Sequence, residues 1–288
     1  MIEQIFQDAG HTVTLRETNR RGHATRFAQD AARRNLDAVV ALGGDGTLNE
    51  VANGLAGSQT ALAVLPGGST NVFARTLGLP NDPVAAAQLV ADALTANSIR
   101  PIGLGRVNGR YFCFHTGVGY DAAVVAQVER HASLKRWLGH PLFIVAALQT
   151  FFRQYDRRNP HFSLKFSHDT IPDGFFTIVM NTNPYTFLGN RPIDLVPGEG
   201  LDSPLSIVTF RSLKAPSFLT GLGAALLGRG VSGKSIDVRR NVRCLVIEDS
   251  EPFAYQVDGD HLGDTRRLAF EWIPDVIRIA VPLVVEGP

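Results

Sequence analysis

Residues 36–55 read LDAVVALGGDGTLNEVANGL, and the order of residue types within them decides the fold. The run Asp37-Ala38-Val39-Val40-Ala41-Leu42 is apolar after its first residue and does not alternate, the pattern of a strand buried on both faces. Gly43-Gly44-Asp45-Gly46-Thr47 follows it, and TLNEVANGL then has helical spacing. A strand, a glycine-rich loop and a helix in that order let backbone N–H groups approach a phosphate at the start of the helix. The carboxylate of Asp45 sits among those glycines, where it would repel a phosphate. Either Asp45 serves a metal ion or a proton in a working site, or the loop is a tight turn with Asp45 in the left-handed region.

The flanking segments repeat the pattern. TVTLR (12–16) predicts a short strand, residues 22–34 a helix, and TALAVLP (60–66) a second buried strand ending at Pro66. After GGSTN another helix begins, and DPVAAAQLVADALTA starts with an Asp cap and a Pro in the first turn. Strand, loop and helix in alternation predict a parallel α/β sheet with its ligands at the carboxyl ends of the strands. The character changes near residue 99. Asn108-Gly109 stands between alternating runs, a hairpin signal. A helical stretch is expected from Asp121 to Tyr155, broken around Gly139-His140-Pro141, and another helix near 215–228. From residue 161 short strand patterns dominate: HFSLKFS, GFFTIVMN, LSIVTF, KSIDVRR, RCLVIED, FAYQVDGD, RRLAFEWIP and VIRIAVP. The fold class expected is α/β with two domains. Residues 1–100 form a parallel α/β nucleotide-binding domain, and 101–288 an antiparallel β-rich substrate domain whose last few residues pack back on the first.

Bulk properties narrow the function. Hydrophobic residues make up 44% and charged residues 19% of the chain, as in a soluble globular protein, and a net charge of +1 gives no overall attraction to nucleic acid. Cys113 and Cys244 lie in apolar strand-like runs and are expected to be buried free thiols. The N-terminus has neither a signal nor a targeting pattern, and HPLFIVAALQTFF is shorter than the roughly 20 residues that span a bilayer. That stripe reads as helix core, with dipping into a membrane surface as the alternative. The expectation is a cytoplasmic protein that meets a membrane only from the side. His131, His140, His161 and His168 lack metal-ligand spacing, and no Ser-His-Asp or Cys-His set can be assembled.

A second loop, LPGGSTNVFAR at 65–75, ends the next strand, so the two loops together form a cradle for a triphosphate. GGDGTLNEV followed by PGGSTNVFAR resembles the diacylglycerol kinase catalytic family, which includes bacterial lipid kinases and sphingosine kinases. GGDG alone is shared with NAD kinases and phosphofructokinases, and the second loop and its spacing favour lipid kinases. The resemblance extends over nearly the whole chain. It implies a nucleotide site formed by Gly43, Gly44, Gly46, Thr47, Glu50, Gly67, Gly68, Ser69 and Asn71, with Thr18 and Arg21 of TNRRGHATRFAQDAA near ATP. GVGYDAAVVAQVE resembles the segment whose acid faces the lipid head group, which nominates Asp121; by residue type Asp121 is equally a helix cap. LKRWLG resembles a basic pair, Lys135 and Arg136, that reaches nucleotide phosphates, against a solvated helix face. VDGD resembles a family DGE element, placing Asp258 at the nucleotide and Asp260 at the substrate, against a plain hairpin turn. GEGLD resembles an acidic metal-binding turn with Glu199 and Asp202 as ligands, against an ordinary loop.

Phosphoryl transfer to an alcohol requires Mg²⁺ to neutralise the phosphates, cations on the transferring group and an acceptor for the hydroxyl proton. As in the family, Asp45 takes that last role, and Mg²⁺ with the helix N-terminus offsets its repulsion from phosphate. The implied function is ATP- and Mg²⁺-dependent phosphorylation of diacylglycerol to phosphatidic acid, with ATP and the lipid as partners, transient membrane contact, and a homodimer left open. The rivals are a kinase for a sphingoid or other lipid alcohol, an NAD kinase, and a non-catalytic nucleotide- or lipid-binding regulator. Two departures from the family pattern are Val72, where the second loop commonly carries Asp, and Asp260, where DGE has Glu. Family members also usually begin with a strand and an NPxxG-like loop. The chain starts after that point, so the expectation is a sheet with an unpaired edge and a nucleotide pocket lacking part of its wall.

Overall fold

A computed structural model describes residues 1–120, 122, 156, 158–214, 220–221, 223–225 and 227–283. The chain divides into two compact units, Met1–Leu104 with the stretch from Pro274, and Gly105–Ile273.

In the first unit, β1 (Ala38–Gly43) and β2 (Ala61–Pro66) pair in parallel, with Ala38 opposite Ala61 and Gly43 opposite Pro66. The end of β14 (Asp260–Ala280) joins the other side of β2 in parallel, Ile279 opposite Leu62. Helix α3 (Asp45–Leu55) packs on β1 and β2, and α2 (His23–Arg33) packs on α3. On β2 also lie α4 (Val72–Thr76) and α5 (Pro83–Thr95), and α1 (Ile2–Asp8) packs on α5. Every residue of β2 is buried, because helices cover it.

Strand β1 departs from the sequence expectation. Val40 and Leu42 are 37% and 50% exposed. Among the described residues β1 pairs only with β2, so it is the sheet edge. An apolar run is buried on both faces only where both faces are covered, and the helices on β1 are α2 and α3. TVTLR is a second correction: Thr12–Arg16 forms no strand, since β propensity yields a strand only when a neighbour completes the ladder. Helix α1 had no signal beyond ordinary composition; tertiary packing of Phe6 holds it.

The cap on α5 is local chemistry. Asp82 Oδ1 accepts from Val84 N at 3.1 Å and Ala85 N at 2.8 Å, and Pro83 occupies the first turn. Asp82→Ala is expected to cost about 1 kcal/mol, read as a fall in melting temperature of roughly 2–4 °C; an unchanged melting curve would show the cap to be redundant.

The second unit is built of antiparallel strands. Strands β5 (His115–Gly119), β8 (Phe176–Met180), β11 (Leu205–Phe210) and β12 (Ile236–Val242) follow β13 (Cys244–Val257) in sheet order. Strand β6 (Phe162–Lys165) pairs with β13 and with β7 (Thr170–Gly174), and β9 (Thr186–Leu188) with β10 (Arg191–Ile193) makes a separate ribbon. The turn between β3 (Ile99–Val107) and β4 (Arg110–Phe112) has positive φ at Asn108 (46°) and Gly109 (89°), the hairpin geometry predicted from Asn-Gly. RCLVIED and FAYQVDGD form one strand, β13, and RRLAFEWIP and VIRIAVP form one strand, β14, rather than two each. Pro252 falls within an irregularity of the β13–β14 register, which resumes at Phe253 opposite Thr265, and Asp275 is taken into β14 with a positive φ of 50°. Phe112, Phe162, Leu164, Ile247, Leu268 and Phe270 anchor one core cluster, and Phe176, Val208 and Phe210 another. Cys113 is buried, but Cys244 is exposed: Leu245 and Ile247 take the inward positions, and the period of two turns Cys244 outward.

Candidate active site

The two glycine loops of the first unit lie back to back. Gly67 N donates to Gly43 O at 2.9 Å, continuing the β1–β2 ladder beyond Pro66. A Cβ on Gly67 would stand 2.8 Å from Gly43 Cα, and a Cβ on Gly68 would stand 2.7 Å from Gly44 Cα. Contact is backbone against backbone, which only glycine permits at both positions. Gly44 is the extended N-cap of α3, and Leu48 N donates to Gly44 O at 3.1 Å. Thr47 occupies the space where a Gly43 side chain would stand.

Polar side chains fix the pair. Val72 N donates to Asp45 Oδ2 at 3.2 Å and Phe73 N to Asp45 Oδ1 at 3.3 Å. The Asp45 carboxylate therefore bridges from the start of α3 to the first N–H groups of α4, groups that have no partner within a helix. Asn71, 4% exposed and left-handed at φ 49°, closes the second loop. Its Oδ1 accepts from Gly68 N at 2.7 Å, and its Nδ2 donates to Gly68 O at 3.0 Å and to Asn81 Oδ1 at 2.6 Å. Gly67, Gly68 and Ser69 stay exposed, so the loop surface is open to a ligand. In α4, partial burial lowers Arg75 from its ordinary value, which leaves a guanidinium charged at neutral pH.

The other sequence-nominated residues take the following places. Thr18 and Arg21 are exposed in the segment before α2, and Glu50 of α3 accepts from Gly22 N and Ala24 N just beyond them. Asp121, Lys135 and Arg136 lie outside the described residues, as do most of the helix expected over 121–155 and much of that near 215–228. Asp258 belongs to the second unit, where it is 3% exposed at φ 48° in the turn from β13 to β14. Its carboxylate accepts from Cys113 N at 2.6 Å, Phe114 N at 3.0 Å and His115 N at 3.1 Å. Asp258-Gly259 is thus a hairpin turn whose side chain also gathers the entry to β5. Asp260 pairs with Arg110 at 3.2 Å. Glu199 pairs with Arg240 at 3.4 Å, and among the described residues no three His, Cys, Asp or Glu side chains come together as a metal cage. Asn81, Arg110 and Arg240 were not singled out by sequence; each partner lies 10 or more residues away in the chain, and no local pattern marks it.

A family profile for the diacylglycerol kinase catalytic domain matches residues 1–107. Over 278 residues the chain is 33% identical to a Pseudomonas aeruginosa (strain UCBPP-PA14) protein named "Probable lipid kinase YegS-like", covering 96% of this chain and 87% of that protein. It is 38% identical over 150 residues to a diacylglycerol kinase of Bacillus subtilis (strain 168), covering 51% of this chain and 48% of the relative. The crystal structure of a diacylglycerol kinase from Bacillus anthracis str. Sterne superposes with a TM-score of 0.68 at 22% identity, over 98% of this chain and 89% of that one, a likeness of fold.

Proposed function

The chain belongs to the diacylglycerol kinase catalytic family of lipid kinases, and from that premise we propose that it transfers the γ-phosphoryl group of ATP to the primary hydroxyl of diacylglycerol, giving phosphatidic acid. The observation that carries the reading is the joined pair of glycine loops, open at Gly67, Gly68 and Ser69 and bridged by the Asp45 carboxylate. Gly67 N, Gly68 N, Val72 N and Phe73 N are engaged within the loop pair, so the helix start offered to phosphate oxygens is the first turn of α3, whose N–H groups have no partner within the helix. Phosphoryl transfer depends chiefly on such positioning and charge stabilisation. Asp45 takes the proton of the attacking hydroxyl. Gly43, Gly44, Gly46, Thr47, Gly67, Gly68, Ser69 and Asn71 shape the phosphate cradle, and Thr18 and Arg21 meet the nucleotide.

Mg²⁺ fits this donor set, because it takes one or two protein carboxylates and completes its shell with water and substrate phosphates. Asp45 is the carboxylate of the loop pair, and the bound ion would supply neutralisation of the phosphate charge. Asp260 is the acidic group for the substrate, held by Arg110; Asp258 is the nucleotide-side residue that the family resemblance implies, and its carboxylate holds the entry to β5; Asp121, Lys135 and Arg136 contribute as the resemblance implies. Glu199 and Asp202 are the metal-binding turn that the family resemblance implies, with Arg240 as the competing partner of Glu199. No helix among the described residues is long and apolar enough to cross a membrane. We place the protein in the cytoplasm, meeting its lipid by peripheral contact.

Labelled phosphate supplied as ATP with Mg²⁺ tests this. Diacylglycerol, a sphingoid base and NAD are offered in parallel mixed-micelle assays, and label is expected in phosphatidic acid. Label in the sphingoid product or in NADP instead would replace the acceptor; no transfer from folded protein would favour a regulator.

A further inference from the structure

Helix α2 lacks a capping side chain of its own. Its N-cap is Gly22, left-handed at φ 82°, and no side chain at that position accepts from the first turn. The acceptor comes from a different helix. Glu50 Oε1 accepts from Gly22 N at 2.8 Å and Glu50 Oε2 from Ala24 N at 3.1 Å. In the opposite sense Thr25 Oγ1 donates to Glu50 O at 3.0 Å, so both the side chain and the backbone of Glu50 engage the start of α2. One turn further along α3, a Cβ on Gly54 would stand 2.6 Å from Ala28 Cβ and 2.6 Å from Thr25 O. The two helices are therefore registered at two levels, by a carboxylate at Glu50 and by backbone proximity at Gly54. Other helix starts in this unit are held differently, α5 by its own Asp82 and α4 by Asp45.

We infer that Glu50 is a positioning residue: it is not a ligand of the nucleotide, and from the middle of α3 it sets the Thr18–Gly22 segment against the glycine loop that begins that helix. The inference deepens the proposed function and rests on that reading of the nucleotide site. Thr18 and Arg21 immediately precede the N–H groups that Glu50 holds, and Gly44 and Asp45 begin the helix that carries Glu50. A carboxylate with each oxygen directed at a backbone N–H closes this link. Removing it leaves α2 uncapped and frees the segment before it to sample other arrangements. A site whose competent arrangement is occupied a tenth of the time binds about tenfold more weakly.

The test uses the full chain and a fluorescent ATP analogue with Mg²⁺, well below the melting temperature. Glu50→Ala is expected to raise the dissociation constant about tenfold, and Glu50→Gln, which keeps one acceptor and turns an amide N–H toward the other donor, to raise it less. Gly54→Ala, which leaves the carboxylate intact but forces α2 from α3, is expected to shift it in the same direction. Amide exchange of residues 18–26 should quicken in Glu50→Gln while that of α5 stays as it was. In turnover assays KM for ATP rises and KM for lipid does not. A buried control in α5, Val90→Ala, should lower the melting temperature without changing nucleotide affinity. If wild-type protein binds the analogue and Glu50→Gln binds it equally well with unchanged exchange at 18–26, the positioning role is overturned. Should wild-type protein bind no nucleotide, the reading of the site itself falls, and the inference with it.

Discussion

Asp45→Asn is expected to reduce phosphoryl transfer by about 10²–10⁴-fold, with the fold retained. The substitution keeps the size of the side chain and removes its ability to take a proton from the lipid hydroxyl. It also places an amide N–H opposite one of the two donors that Asp45 accepts, Val72 N or Phe73 N. Loss of that bond costs about 1–3 kcal/mol, enough to lower the melting temperature by several degrees without unfolding the protein. The two contributions separate in kinetics. A proton acceptor affects kcat, whereas loosening of α4 against α3 affects KM for ATP. Turnover equal to wild type, from a folded Asp45→Asn protein, would remove Asp45 from the chemistry and leave it as the bridge between the loops.

Gly68→Ala has the second large effect. The added methyl would stand 2.7 Å from Gly44 Cα and 3.1 Å from Asn71 Oδ1. Backbone on one side and a buried Asn71, held by three side-chain hydrogen bonds, on the other leave nothing free to move aside. The loops must separate, and displacement of reacting groups by about 1 Å costs on the order of 10²-fold in rate. Transfer activity is expected to fall by at least that factor, together with the rise in melting temperature that ATP gives the wild type. Gly223→Ala is the control, because a Cβ there meets nothing within 4 Å. If Gly68→Ala retains ATP-dependent stabilisation, close loop contact is not what makes the site.

Much of the fold was legible locally. The Asp82-Pro83 start of α5 and the Asn108-Gly109 hairpin follow from residues within a few positions of one another, whose backbone preferences persist in any surroundings. The non-alternating runs before Gly43 and Gly67 marked β1 and β2, and the shift near residue 99 separated helix-rich from strand-rich chain. Longer strands were less legible. The pieces of β13 join because β14 runs along both of them, and β14 itself extends from its pairing with β13, up to Glu271, to its pairing with β2 at Ile279, conditions set by residues far away in sequence.

The candidate site divides in the same way. Sequence alone determined that two glycine-rich loops end two apolar strands, that Asp45 stands in the first and Asn71 in the second, and that the pair resembles a lipid kinase. Glycine spacing and residue type carry that information without reference to a partner. Only the tertiary structure decided what each polar group holds: Asp45 the start of α4, Glu50 the start of α2, Asp258 the three N–H groups at the entry to β5. It also decided that Val40 and Leu42 are exposed on β1, which among the described residues pairs only with β2. The physical reason is that a carboxylate accepts from whichever donors the packed chain brings within about 3 Å, and a strand face is buried only by what lies upon it.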